Sequence, residues 1–482
     1  MTAEFNILDL NRVQKLFNMG MRPVFRHSDD TIWRRIPTIP ITQLTADKGG
    51  MNMKFQFTFS RNNDTLMSSA GAVGTIQNPA RAGKYYFAYC RPYSYTDCQN
   101  KIESIEKSLK SNSGIYFHRS VLCESSDGRN LDLLTITSND GMSDGQEPLI
   151  PGLFPNLTET CALFRMSDDA ASSKNLAGSP RRKNKSYFFL TARVHPGETI
   201  SSYILDGFID YLVSADKGAA LLRSLFVFKI IPMLNPDGVY RGHYRGDADG
   251  VNLNRAYQNA TPDLYPTIWA TKHYISTLHE ECGPVEWFID LHGHANKPGC
   301  FMFGNWIFDL RKQYDMHLFA KCMLNNSTLF DLNECEFAPK EMIRPSTSRG
   351  YPSNQGPEME CTKDGTSRVG IFKAIGIHHC YTFEANYHGT RADKRIPRND
   401  DSVEWKKGVR DNRFTLGDIH GMGKSIALAV ADFCSPKRGG SFFRNDSAIS
   451  VAQKWAAEQL KQMYHTAMVP IDEVQLKSSR LC

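Results

Sequence analysis

Residues 1 to about 160 read as β-rich, with period-two alternation of apolar and polar positions clearest at residues 53–59. Met53-Lys-Phe-Gln-Phe-Thr-Phe59 puts its apolar side chains on one face, and Lys84–Cys90 and Leu131–Thr137 read as further strands. A helix is predicted after Ser94-Tyr-Thr-Asp97, with Asp97 as N-cap and Ile102, Ile105 and Leu109 on one face. A polar stretch, Ser167 to Lys185, follows. Its basic cluster Ser179-Pro-Arg-Arg-Lys-Asn-Lys185 reads as a solvated linker, with a nuclear-import or acidic-partner patch as the alternative.

From about residue 186 the period changes. Strand-like runs at Ser186–Val194, Leu225–Leu234, Val285–Leu291 and Cys380–Asn386 are separated by helical patterns. Among these are Ile204, Leu205, Phe208, Ile209 and Leu212 after Thr199, and Ile426, Val430 and Phe433 near residue 430. Strands alternating with helices predict an α/β fold with a doubly wound, mostly parallel or mixed sheet. Ligands in such sheets sit beyond the C-terminal strand ends. Four segments are expected: a β-rich domain at 1–160, a linker at 161–185, an α/β domain at 186–435 and an appendage at 436–482 with an amphipathic helix at Val451–Tyr464.

Of the 482 residues, 41% are hydrophobic and 22% charged, which excludes a disordered or fibrous chain. A net charge of +6 is too weak to argue for nucleic acid. The first residues carry no basic stretch followed by an apolar one, so a secretory leader is not expected. Leu225–Leu234, broken by Lys229 and Pro232, is too short to span a membrane. Twelve cysteines with no Cys-x-x-Cys pair read as reduced thiols of a cytosolic protein.

Chemistry concentrates where strands end. Thr191-Ala-Arg-Val-His-Pro-Gly-Glu-Thr199 brings His195 and Glu198 to a strand-to-helix turn, and Asp290-Leu-His-Gly-His294 brings a second histidine to another strand end. Two histidines and one glutamate make a zinc set with an open position for water. His292 is the favoured third ligand, His294 its rival, and Asp290 an outer partner. Between them, Asn254 and Arg255 form a pair suited to a carboxylate. In Tyr381-Thr-Phe-Glu-Ala385, an acid within an apolar strand marks Glu384 as a general base.

In this order the elements resemble the zinc metallocarboxypeptidase family, and more closely its cytosolic carboxypeptidase (Nna1-like) branch. The hallmarks are Phe87-Ala-Tyr-Cys-Arg-Pro-Tyr-Ser-Tyr-Thr-Asp97, His195-Pro-Gly-Glu198, Pro232-Met-Leu-Asn-Pro-Asp-Gly238, Gly250-Val-Asn-Leu-Asn-Arg255 and Asp290-Leu-His-Gly-His294. Arg241-Gly-His-Tyr-Arg245, Gly299-Cys-Phe-Met-Phe-Gly-Asn305 and Ser367-Arg-Val-Gly-Ile-Phe-Lys-Ala374 are similar to that branch's tubulin-deglutamylating members. The resemblance implies an α/β/α carboxypeptidase domain with a mixed sheet, preceded by an antiparallel β-sandwich domain that would here be shortened at its start. It implies one Zn²⁺ on His195, Glu198 and His292, with Glu384 as general base and acid. Arg245 would stabilise the oxyanion, and Asn254 and Arg255 would hold the substrate's terminal carboxylate.

The implied substrate is a glutamylated tubulin tail or another acidic protein tail, handled by a monomeric cytoplasmic enzyme with no nucleic-acid or membrane partner. Cytoskeletal association is implied too, with the nucleus as an alternative location. A glutamate side chain needs its own cation. Arg368, expected on a strand, is favoured over Lys373, with Lys297 and Arg344 in reserve. The pancreatic enzymes' site tyrosine has no counterpart near Ile371-Phe372-Lys373, and Gly197 replaces their extra arginine. The alternatives are a non-catalytic tail binder and a zinc hydrolase of small N-acyl amino acids.

Overall fold

The computed structural model describes residues 1–11, 14–45, 50–59, 83–109, 114–155, 160–165, 184–343, 363–391, 412–434 and 458. The 436–482 appendage, apart from Glu458, and most of the basic cluster lie outside them. No helix among the described residues is long and apolar enough to cross a membrane.

Two three-stranded antiparallel sheets form the N-terminal part. Their strands are β1 (Thr2–Asn11), β2 (Val24–His27), β3 (Arg34–Arg35), β4 (Ile41–Leu44), β5 (Gly50–Thr58) and β6 (Tyr85–Ala88), in the orders β1-β5-β4 and β3-β2-β6. In β5, Met51, Met53, Phe55 and Phe57 all face inward, as the alternation requires. Phe57 meets Phe25 at 4.7 Å and Phe5 meets Phe87 at 4.8 Å, closing the sheets on each other.

The remaining strands are β7 (Ile115–Glu124), β8 (Asn130–Ser138), β9 (Met142–Gln146), β10 (Ala162–Phe164), β11 (Ser186–Ala192), β12 (Phe226–Ile231), β13 (Val285–His294), β14 (Cys300–Phe303) and β15 (His379–Asn386). β9 and β10 pair with each other, and the rest build a seven-stranded sheet in the order β14-β15-β13-β11-β12-β8-β7. β15, β13, β11 and β12 run parallel, β14 and β8 run against them, and β7, antiparallel to β8, runs with them again. Phe188 and Leu190 of β11 join a core with helices Ile200–Leu212, Leu310–Asn326 and Leu416–Cys434. Tyr187 and Phe189 join a second core with helix Pro266–Thr277. The sheet is thus covered on both faces, as a parallel sheet must be.

Three expectations change. The β-rich domain does not run to residue 160, because β7 and β8 belong to the central sheet, with Ile136 of β8 opposite Phe228 of β12. Leu131 and Leu133 of β8 enter one core and Leu134 and Ile136 the other, the signature of a strand buried on both faces. Ser94, not Asp97, caps helix Tyr95–Leu109: Asp97 N donates to Ser94 Oγ (3.1 Å), and Asp97 Oδ2 accepts from Ser94 N (2.8 Å), a reciprocal capping box. Lys185 is not solvated. Burial lowers its pKa to about 8, and its amine donates to Ser138 Oγ (2.8 Å) and the Arg223 carbonyl (3.2 Å).

Candidate metal and active site

Beyond the end of β11, Arg193 turns the chain with φ +59°. Its buried guanidinium donates to Pro196 O (2.7 and 3.1 Å), Tyr93 O (2.9 Å) and Ser202 Oγ (3.0 Å), which fixes the loop leading to Glu198. Gly197 N donates to the Tyr244 carbonyl at 2.8 Å. A Cβ at Gly197 would lie 2.7 Å from that oxygen, so no larger residue fits there. The loop delivers His195 and Glu198, and β13 delivers His292. All three are buried, and one candidate ligand atom from each lies within 4.8 Å of the other two.

The remaining ring nitrogens decide how the imidazoles present themselves. His195 Nε2 lies 3.0 Å from Asn252 Oδ1, which also accepts from Asn254 N at 3.1 Å and therefore acts as an acceptor. His292 Nε2 lies 2.8 Å from Asp290 Oδ2. Both Nε2 atoms are donors, and both Nδ1 atoms turn to Glu198. His195 Nδ1 is 2.8 Å from Oε1, and His292 Nδ1 is 3.1 Å from Oε2. His195 Nδ1 is buried and makes no hydrogen bond despite that approach. Two imidazole lone pairs and a carboxylate converging on one point fit Zn²⁺, and outer partners orient both rings as ligating histidines need. Asp290 is itself fully buried and accepts from Thr191 Oγ1 (2.8 Å) and Ser367 Oγ (2.5 Å).

The electrostatics follow from this packing. Burial pushes His195 down to about 4. Burial also opposes charge on His292, but Asp290 and Glu198 outweigh it and hold the ring well above the usual histidine value. Glu198 stays well below the usual carboxylate range because the two imidazoles outweigh its burial. Glu384, in register with His292 across the β13–β15 pair, is pushed up to about 7 by burial; Glu198 adds to the rise and His292 opposes it. A carboxyl poised near neutrality suits proton transfer in both directions. Arg245 Nη1 lies 3.5 Å from Glu198 Oε1, with its side chain 40% exposed on the open side.

Asn254 and Arg255 sit on the 3-10 turn Leu253–Arg255. Asn254 Oδ1 accepts from Ser367 N (2.9 Å), which links the pair to Asp290 through Ser367. Arg368 lies in the first turn of helix Ser367–Ile375 rather than on a strand, because Thr366 caps that helix by accepting from Val369 N. It is buried, and its guanidinium donates to Gly304 O (2.5 Å), Asn305 Oδ1 (2.6 Å) and Glu341 O (2.9 Å), a set of internal acceptors. Lys373, on the same helix, pairs with Asp364 at 3.0 Å. Lys297 pairs with Glu334 at 3.1 Å, and Arg344 lies outside the described residues. His294 Nδ1 accepts from Asn296 N and Lys297 N, outside the triad. The structure thus groups His195, Glu198, His292, Arg245 and Glu384, and sets Arg368 and Lys373 apart. Sequence reasoning missed Asn252, Arg193, Thr191 and Ser367. Each lies inside or beside a quoted motif, but only its contacts reveal its part.

Residues 102–286 match the family model described as zinc carboxypeptidase. Cytosolic carboxypeptidase-like protein 5 of Mus musculus is 31% identical over 536 residues, covering 90% of this chain and 55% of that protein. Cytosolic carboxypeptidase 6 of Homo sapiens is 30% identical over 387 residues, covering 80% of this chain and 61% of that protein. The chain spans little more than half the length of these relatives. A metallo-carboxypeptidase structure from Burkholderia cenocepacia superposes with a TM-score of 0.56 at 17% identity, over 90% of this chain and 85% of that one, and so shares the fold. The chain carries a zinc carboxypeptidase (peptidase M14) domain, with cytosolic carboxypeptidase-like protein 5 and cytosolic carboxypeptidase 6 among its homologues.

Proposed function

We propose that the chain is a zinc-dependent carboxypeptidase that removes glutamate residues, at branch points or in linear chains, from acidic protein tails such as those of tubulin. The observation that carries the reading is the buried His195–Glu198–His292 triad with Glu384 in register beside it. Arg255, steadied by its Nη1–Asn254 O bond of 2.6 Å, docks the terminal carboxylate of the substrate. Arg245, on the open side of Glu198, stabilises the negative charge that develops on the scissile carbonyl. Glu384 takes a proton from the attacking water and returns it to the leaving amine. Zinc bound to the triad would supply Lewis-acid polarisation and acidify that water.

An acidic tail is supported by the resemblance to tubulin-deglutamylating members and by the arginines at 245 and 255. The relatives' names, with the word cytosolic, support a cytoplasmic location. The test incubates the purified protein with linear and branched glutamyl peptides, with and without a chelator, and follows them by mass spectrometry. Stepwise loss of terminal glutamate that stops with the chelator is expected. Tight binding without trimming would replace the reading with that of a tail-binding protein.

A further inference from the structure

A second group of metal-ligating side chains lies away from this centre. Asp315, His378 and His379 each offer one ligand atom, all within 4.8 Å of one another. Asp315 belongs to helix Leu310–Asn326, and His379 opens β15 with His378 just before it. Consecutive residues of a strand point to opposite faces. Here the chain bends at His378, with Cys380 N donating to His378 O at 2.8 Å, and the two imidazoles come to the same side with centroids 4.1 Å apart.

The His379 ring is held firmly. It stacks on Trp287 at 3.8 Å and 4°, meets Phe433 edge-on at 4.8 Å, and has the Tyr381 hydroxyl 2.9 Å from Nδ1. Fixing of this kind by aromatic walls and an outer hydrogen bond is what orients ligating histidines. His378 and Asp315 are more open, at 27% and 31% side-chain exposure, and stand 3.9 Å apart, a loose approach for an ion pair. Their openness gives an ion a path in from solvent. Five residues along β15 separate His379 from Glu384, about 17 Å at about 3.3 Å per residue. The group therefore lies at the N-terminal end of the strand, across the sheet from the carboxypeptidase centre.

We propose that Asp315, His378 and His379 form a second divalent-metal site, for Zn²⁺ or a similar imidazole-seeking ion, that clips helix Leu310–Asn326 to the start of β15. Two imidazoles and a carboxylate are the donor set such ions take, with water completing the sphere. The clip stabilises the fold and takes no part in hydrolysis.

The test is equilibrium dialysis of the full chain against buffered zinc, with bound metal counted per protein. Wild type is expected to hold two equivalents. His378→Ala and Asp315→Asn, both at partly exposed positions the fold tolerates, should each hold one, with the second affinity at least tenfold weaker. His292→Ala should also hold one, the distal one. Thermal melting adds a second readout: zinc beyond the first equivalent should raise the Tm of wild type but not of His378→Ala. One equivalent in wild type, or a second equivalent that survives both distal substitutions, would overturn the proposal.

Discussion

Asp290 offers the sharpest test of how the centre is held. It is fully buried and accepts from three donors: His292 Nε2, Thr191 Oγ1 and Ser367 Oγ. Asp290→Asn keeps the shape but removes the charge and turns one acceptor into a donor. Loss of an outer partner of a ligating histidine costs about 10–100-fold in metal affinity, or about 1.4–2.8 kcal/mol at about 1.4 kcal/mol per tenfold. Asp290→Ala would strand three buried donors at about 1–3 kcal/mol each, a large part of the roughly 5–15 kcal/mol that holds a domain together. The Asn variant is therefore the informative one, and the Ala variant should fail to accumulate. Zinc affinity is read by competition against a chromogenic chelator, after a melting curve has shown that the variant is folded. A folded Asp290→Asn protein with wild-type zinc affinity would refute the tautomer argument for His292, because the proton on Nε2 would then need no anionic acceptor.

Three further outcomes are expected. Glu384→Gln should fold and bind zinc yet hydrolyse at least about a hundredfold more slowly, since general acid–base catalysis contributes about 10²–10⁴-fold; near-normal turnover would remove Glu384 from the reaction. Asp206 is pushed up to about 7 by burial, and the hydroxyl of Tyr93, just before helix Tyr95–Leu109, donates to it at 3.1 Å. Its unfolded value is about 3.9, so the folded chain binds more protons between those values and loses stability as pH rises through that window. Asp206→Asn should accordingly gain on wild type in urea melts at pH 8 relative to pH 5, and an equal difference at both would contradict this. Lys229 and Glu147 are buried together at 2.8 Å, and Lys229→Met should cost about 3–5 kcal/mol by leaving the carboxylate unpaired. Adding Glu147→Gln should recover part of that loss, and a single-variant cost under about 1 kcal/mol would mean that the pair carries no such charge.

What the sequence made legible follows from which forces are local. Period-two alternation placed β5, and the apolar runs placed β11, β12, β13 and β15, because strand patterning is written residue by residue. The triad was readable because its members sit in compact turn motifs at strand ends. The pairing of β8 with β12 was not, since a strand buried on two faces looks the same in any sheet that covers it. Arg368 shows the same limit. Its chemistry suits a substrate carboxylate, but its helix aims it at Gly304, Asn305 and Glu341, and only the tertiary fold supplies those acceptors. Asn252 escaped because an asparagine in a turn carries no mark of the imidazole it orients.

The two small N-terminal sheets are no detachable module. Leu16, Phe17, Met51 and Phe55 belong to the same core as Phe188 and Leu190 of the central sheet. Arg35 reaches across to donate to the carbonyls of His388 (3.3 Å) and Phe414 (3.2 Å), and His388 follows Glu384 by only four residues. The N-terminal sheets are therefore tied, through that shared core and through Arg35, to the segment that directly follows Glu384. Chimeras that exchange this region between relatives would have to carry the arginine and its apolar footing along with it, or the graft would loosen the segment after β15.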